Sequence, residues 1–238
     1  GSEIKAILAS GIVDKKIDEK NLNEFIWYGN SLGNNTLLKG IKKLLPGSYI
    51  KIQSNKIDFH EYWNIKNIKN INDNLVDAKK NVLNKLDLAV KNHLISDVPV
   101  GIFLSGGVDS SAITALASKH YHGKISTFSV DFDFNQGFSE LSNAKIISDK
   151  FNTNHHEMHI KGSDLPSVIE NLIESHDEPF SDAANIPLFL LTRELKGSIK
   201  VILQGDGGDE IFAGYRRYNI LSKELFWQWL SKFGHQFS

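Results

Sequence analysis

The sequence predicts an α/β fold, a parallel sheet with helices on both faces, preceded by a small helix and a β-hairpin. Three observations predict it. Short apolar runs alternate with helix-length segments after residue 98, two of those runs end directly in glycine-rich loops, and a Pro-Gly turn introduces two alternating strands before residue 64.

Residues 1–74 are rich in Asn, Lys and Ile and read as a linker segment. Residues 20–28 are amphipathic at helical spacing. Leu45-Pro46-Gly47-Ser48 marks a turn, and residues 48–52 and 56–63 alternate apolar with polar on either side of Gln53-Ser54-Asn55, as a half-exposed hairpin does. The main domain then spans residues 75–238. Leu75, Val76, Leu83, Leu86, Val90 and Leu94 recur at helical spacing, so residues 75–94 form one long helix. Strands are expected at 98–104, 125–130, 155–160 and 199–203, with helices at 110–121, 139–151, 163–176 and 184–195 between them. Strand, helix and strand in succession require right-handed crossovers and a parallel sheet, whose ligands bind at the carboxyl ends of the strands near a switch in strand order.

With 238 residues, 41% hydrophobic and 23% charged, the chain has enough apolar material for one substantial core and a smaller appended unit. Its 27 basic and 28 acidic residues leave a net charge of -1, which removes the electrostatic footprint of a dedicated nucleic-acid binder. The absence of cysteine excludes disulfides, thiolate metal sites and a cysteine nucleophile within this sequence. Its apolar runs fall short of the ~20 residues that span a bilayer, and a reducing, cytoplasmic setting is expected. Gly1-Ser2 without an initiator methionine reads as an expression scar or a cut inside a longer protein.

The first glycine loop is Ser105-Gly106-Gly107-Val108-Asp109-Ser110-Ser111, directly after the apolar run Val98-Pro99-Val100-Gly101-Ile102-Phe103-Leu104. Its glycines let the backbone turn sharply and offer N–H groups to an anion, its serines add hydroxyls, and the helix beginning near Asp109 points its positive end at the same spot. Such a loop fits a phosphate. It lacks the lysine of G-x-x-x-x-G-K-[ST], and Asp109 beside a phosphate calls for a divalent cation, so magnesium is implied. The competing reading is a connection whose Ser and Asp only cap the helix.

Gln204-Gly205-Asp206-Gly207-Gly208-Asp209-Glu210 follows the apolar run Ile199-Lys200-Val201-Ile202-Leu203. Acids packed this densely repel one another unless a cation compensates them. Magnesium held by Asp109 and Asp209 would bridge the loops and neutralise a pyrophosphate between them. A solvated acidic turn is the alternative for this loop alone.

Residues 105–111 resemble the S-G-G-x-D-S-S signature of the N-type ATP pyrophosphatases, the PP-loop superfamily. Ser96-Asp97-Val98-Pro99-Val100-Gly101, Asp177-Glu178-Pro179-Phe180-Ser181-Asp182, Ile186-Pro187 and the run from Gly205-Asp206-Gly207-Gly208-Asp209-Glu210 to Tyr218 narrow the resemblance to the synthetase domain of the glutamine-hydrolysing asparagine synthetases. Ser2-Glu3-Ile4-Lys5-Ala6 resembles the close of their glutaminase domain. Leu45-Pro46-Gly47 with Tyr62-Trp63 resembles their connecting hairpin. The resemblance implies an adenine nucleotide alpha-hydrolase type of sheet and an ATP-dependent amide ligase. In that reaction aspartate attacks the α-phosphorus of ATP, pyrophosphate leaves, and ammonia displaces AMP from β-aspartyl-AMP.

Carried over by motif, Ser105, Gly106, Gly107, Val108, Asp109, Ser110 and Ser111 would hold pyrophosphate, with Asp109 and Asp209 on magnesium. Phe103, Val130, Gln204 and Gly205 would contact adenosine, and Asp206 would support acyl-adenylate formation. Gln204 replaces a common serine, Asp206 a common glutamate and His93 a common arginine. These departures bear on the acceptor, and related ligases amidate other carboxylates, such as a sugar acid of a surface polysaccharide. The family's glutaminase domain, with its N-terminal cysteine nucleophile, is expected to be absent, so ammonia is expected from a glutaminase domain outside this chain. The family's later helical region, with its phosphate-contacting lysine, is expected beyond Tyr218. A nucleotide-binding but catalytically incomplete fragment is therefore the second reading. A relative that modifies tRNA or builds nucleotides fits the charge and the run from Gly205 to Tyr218 less well.

His155-His156-Glu157-Met158-His159 does not match H-E-x-x-H and reads as a strand with satisfied histidines. Glu178 and Asp182 are candidates for a pocket rim or for helix caps. The aromatic stretch 221–237, with Phe226, Trp227, Trp229, Leu230 and Phe233, reads as core packing; exposed, it would drive self-association, in the simplest case a homodimer.

Overall fold

The computed structural model describes residues 1–54, 56–69, 71–132, 140–160, 165–179, 181–182, 184–221 and 223–224. Asn55, Phe180, the first residues of the helices expected at 139 and 163, and the aromatic stretch from 225 onward lie outside the described residues. In chain order the elements are α1 (Ile4–Ala9), α2 (Glu19–Tyr28), β1 (Ser48–Gln53), β2 (Lys56–Glu61), a 3-10 turn at Ile65–Asn67, α3 (Leu75–His93), β3 (Val100–Phe103), α4 (Val108–His120), β4 (Ser126–Phe132), α5 (Leu141–Lys150), β5 (Asn154–Ile160), α6 (Leu165–His176), α7 (Asn185–Glu194), β6 (Val201–Leu203), α8 (Gly208–Phe212) and α9 (Arg216–Leu221). They form two compact units, one of Gly1–Lys80 with Lys161–Glu194 and one of Asn81–Ile160 with Leu195–Ser238.

In the first unit, Asp18 caps α2 by accepting from the N–H groups of Lys20 and Asn21, and Gly29 ends the helix in the left-handed conformation. The loop after α2 is buried at Leu37, Leu38 and Ile41. The Thr36 hydroxyl bonds the carbonyls of Leu38 and Ile41, and the Asn21 amide donates to the Thr36 carbonyl at 2.7 Å. Buried polar groups in this loop are thus paired, as burial requires. β1 and β2 pair antiparallel in the register Ile50↔Phe59 and Ile52↔Ile57, which puts four apolar side chains on one face of the hairpin. α6 buries Val168 and Leu172, and α7 buries Leu190 and Leu191.

Glu178 and Asp177 tie the two stretches of this unit together. One Glu178 oxygen accepts the Leu37 N–H at 2.6 Å and the other pairs with Lys43 at 2.8 Å. Asp177 accepts the Lys5 N–H at 3.1 Å. Asp182 accepts the Ala184 N–H at 2.9 Å, just ahead of α7, so it acts as a cap.

The second unit holds a four-stranded sheet in the order β5-β4-β3-β6, with every neighbouring pair parallel. Successive crossovers carry the chain from β3 to β4 and on to β5. The chain then returns to the far side of β3 to add β6, and strand order reverses at β3. β3 is the most buried strand; a Cβ on Gly101 would meet Phe128 at 2.8 Å and Ile202 at 2.9 Å, so only glycine lets its neighbours close in. Ile102 packs in one cluster with Val90 of α3, Ala117 of α4 and Ile125, flanked by Leu86, Ile113, Leu116 and Leu203. Asp87 accepts from His120 at 2.9 Å and Lys119 at 3.1 Å, pinning the end of α4; those bonds, His120 first, hold its carboxyl below the usual range.

The histidine run forms β5, as the sequence predicts. His155 bonds the Thr127 hydroxyl through Nδ1 at 2.9 Å, while His156 stacks on Phe128. Among the described residues no group of three or more His, Cys, Asp or Glu is gathered as a metal cluster, and no helix is long and apolar enough to cross a membrane.

Candidate active site

Both glycine loops leave the carboxyl ends of adjacent strands. The register Ile102↔Leu203 sets the end of β3 beside the end of β6, so Ser105–Gly107 and Gln204–Gly208 emerge together where strand order reverses. That position is the crevice in which open parallel sheets bind ligands.

The first loop turns at Gly106, whose φ of 79° is open to glycine and strained for other residues. A Cβ there would lie 2.6 Å from Asn143 and 2.7 Å from the Ala144 nitrogen, so the turn is pressed against the first turn of α5. Ser110 reaches back from the helix into the loop. Its hydroxyl accepts the Ser105 N–H at 3.3 Å, bonds the Ser105 hydroxyl at 3.0 Å and donates to the Gly107 carbonyl at 3.3 Å. The Ser105 hydroxyl in turn accepts the Gly107 N–H at 3.2 Å. Ser110 is 6% exposed and works inside the loop, fixing its shape. Ser105 is exposed, Ser111 is half-buried, and no side chain caps the N-terminus of α4, which starts at Val108 after Gly107. Thirteen residues of helix thus present an uncapped positive end toward the crevice.

The second loop closes into a helix sooner than its composition suggests. Gly207 is left-handed at φ 88°, and α8 begins at Gly208 with Asp209 and Glu210 in its first turn, where acids suit the helix dipole. The two loops touch. A Cβ on Gly205 would lie 2.9 Å from the Asp109 Cβ and 3.2 Å from the Ser110 nitrogen, and one on Gly208 would lie 2.5 Å from Asp109 Oδ2. The Asp109 carboxylate therefore rests on the backbone immediately before Asp209. Gly205 and Gly208 are needed for that approach. Asp206 is exposed and accepts from the Gln204 amide at 2.5 Å.

Phe103 ends β3 and Val130 lies on β4, two residues beyond the Phe103↔Phe128 pair; both are half-buried. The Leu104 N–H donates to the Phe128 carbonyl at 2.8 Å, and the Ser129 hydroxyl donates to the Leu104 carbonyl. All the sequence-predicted site residues thus lie in the second unit, on the adjacent ends of β3, β4 and β6. Glu178 and Asp182 lie in the first unit, in the structural roles given above. Gly208, Gly214 and Tyr215 enter the sequence reading only as members of the run from Gly205 to Tyr218, with no separate role. Only the shared run of glycines and aromatics after Asp206 signals them.

Asp109, whose carboxylate lies on Gly208, and Asp209, the next residue along, are two carboxylates near this crevice that a cation could use. A hard divalent ion that takes one or two carboxylates and completes its shell with phosphate oxygens and water fits that donor set. A transition-metal site with three or four protein ligands does not.

Residues 81–237 match the family model described as asparagine synthase, and residues 1–63 match one described as glutamine amidotransferase domain. The chain is 34% identical over 244 residues to asparagine synthetase [glutamine-hydrolyzing] 3 of Bacillus subtilis, covering 97% of this chain and 40% of that protein. It is 36% identical to asparagine synthetase [glutamine-hydrolyzing] 1 of the same organism, over 86% of this chain and 32% of that one. The chain therefore spans less than half the length of these relatives. A solved NH3-dependent NAD synthetase from Campylobacter jejuni aligns with a TM-score of 0.39 at 14% identity, over 57% of this chain and 60% of that one.

Proposed function

The chain belongs to the asparagine synthase family, and from that premise we propose that its second unit is the adenylating centre of an ATP-dependent amide ligase. The observation that carries this reading is the contact of the two loops, with Asp109 packed on Gly205 and its carboxylate on Gly208 beside the uncapped end of α4. An anion-binding end and two acids in one crevice make chemical sense when a phosphate chain and a cation lie between them.

In this reading the N–H groups of Val108 and Asp109 and the hydroxyls of Ser105 and Ser111 receive the departing pyrophosphate, while Gly106 and Gly107 make the turn and Ser110 keeps the loop in shape. Asp109 and Asp209 would hold magnesium, which supplies charge neutralisation when bound. Phe103, Val130, Gln204 and Gly205 line the adenosine side. Asp206, exposed on the same loop, supports the step in which a carboxylate oxygen bonds to the α-phosphorus as the bond to pyrophosphate breaks. Ammonia then attacks the acyl carbon, AMP leaves with the bonding pair, and the nitrogen gives up a proton. Holding two anions in line with charge already cancelled is worth most of such a rate enhancement. Aspartate is the acceptor the family suggests, and a cytoplasmic, ATP-supplied setting follows from it. Asp206, one methylene shorter than the usual glutamate, favours testing other carboxylates beside it.

Exchange of labelled pyrophosphate into ATP, with magnesium and with or without aspartate, tests the proposal. Aspartate-stimulated exchange that falls at least ~100-fold in Asp109→Asn is expected for loss of a metal-holding carboxylate. Tight ATP binding with no exchange under aspartate, a sugar acid or other carboxylates would instead identify a nucleotide-binding fragment.

A further inference from the structure

The segment after Asp209 is built more tightly than a helix end requires. The N–H groups of Ala213 and Gly214 both converge on the Asp209 carbonyl, the latter at 3.0 Å. Ala213 is left-handed at φ 57°, a conformation few non-glycine residues adopt. The Asp209 carboxylate occupies the place where a Gly214 side chain would begin; a Cβ there would lie 2.8 Å from the Asp209 Cγ. The carboxylate thus has the Gly214 backbone as its floor. The next residue fixes that floor: the Tyr215 hydroxyl donates to Glu210 Oε1 at 3.0 Å, and the Arg217 guanidinium lies 4.2 Å from the Tyr215 ring centre and 5.7 Å from that of Tyr218.

We propose that Tyr215, held by Glu210 and stacked under Arg217, is a positioning residue that sets the Asp209 carboxylate for the divalent cation. The bond from Tyr215 to Glu210 closes a ring over residues 210–215, which includes Gly214. Asp209 lies one residue ahead of that ring, with its carboxylate against Gly214. The arginine over its face adds the modest cation–π contact of an exposed site and holds the phenol in place. Losing the hydroxyl leaves Gly214 free to move relative to Asp209, and the cost appears where Asp209 acts. The proposal rests on the magnesium role given to Asp209 above.

Calorimetric titration with MgATP, and with ATP in EDTA, tests it on wild type, Tyr215→Phe and Gly214→Ala. Tyr215→Phe removes one hydroxyl and keeps the stacked ring. It should weaken MgATP binding about three- to tenfold, the worth of one hydrogen bond, and leave metal-free ATP binding unchanged. Gly214→Ala, which intrudes on the carboxylate itself, should abolish the preference for MgATP. Tyr215→Phe binding MgATP like wild type, or losing both forms equally, would overturn the positioning role while leaving the magnesium site intact. A wild-type protein that binds MgATP no better than metal-free ATP would overturn both.

Discussion

Ser110 shows how a residue's place in a motif and its place in the fold can differ. From sequence it is one more hydroxyl in a phosphate loop. In the fold it is buried on the first turn of α4, and its hydroxyl serves the Ser105 N–H, the Ser105 hydroxyl and the Gly107 carbonyl. The reason is helical geometry: the third residue of a helix lies under its own entry loop, so a short hydroxyl there reaches backward more easily than outward. Ser110→Ala would strip the partner from the Ser105 N–H and slacken the loop. Chemical denaturation should show a loss of about 0.5–1.5 kcal/mol, the net worth of a hydrogen bond whose freed donor can reach water. The motif spells out which residues gather; the direction each side chain takes depends on the turn at Gly106 and its seat on α5, which lie outside any local pattern.

Among the elements, those with a long period were legible. The 19 residues of α3 and the apolar runs of β3, β4 and β6 carry their own periodicity, and the structure differs from expectation by a few residues at their ends. α1, α8 and α9 were not foreseen, because five or six residues complete fewer than two turns and show no repeat. α8 was further masked by Gly-Asp-Gly-Gly, a composition that reads as turn. β5 was found as a strand, yet its consequence is electrostatic. The His155 side chain is 5% exposed, and against the expectation of satisfied histidines its Nε2 has no hydrogen-bond partner among the described residues, with Glu157 3.6 Å away. Burial dominates and lowers its pKa from the ordinary 6.5, against the pull of Glu157 and Asp149, with Lys145 and His156 acting in the same direction as burial. The unfolded chain therefore binds this proton at a higher pH than the folded one. Stability is full above about pH 6.5 and falls as pH drops below it, because the unfolded state is then the better base. Comparing melting at pH 7.5 and 5.5 should show a smaller acid-side drop in His155→Gln than in wild type.

Across the whole molecule, the acids proposed for binding and those that make structural ties fall in different units. Asp109, Asp206 and Asp209 belong to the second unit, whereas Asp177 and Glu178, equally prominent in the family pattern, join the two stretches of the first. A pair of acids next to a proline invites a pocket reading from sequence. Only tertiary contact reveals that the Glu178 carboxylate spans 141 residues to meet the Leu37 N–H and is neutralised by Lys43. Leu37 is 7% exposed, so Glu178→Ala leaves its N–H buried and unmet and also leaves Lys43 without its carboxylate. The loss should be about 1–3 kcal/mol from the N–H, with less from the partly exposed ion pair. Because the Glu178 carboxylate is already engaged by Leu37 and Lys43 of its own unit, MgATP affinity should stay within about twofold of wild type, the range of substitutions at independent sites. Parallel thermal melting and MgATP titration of Glu178→Ala separate the outcomes. A lower melting point with unchanged affinity places Glu178 in the scaffold, whereas a large loss of MgATP affinity at an unchanged melting point would move it into the binding machinery.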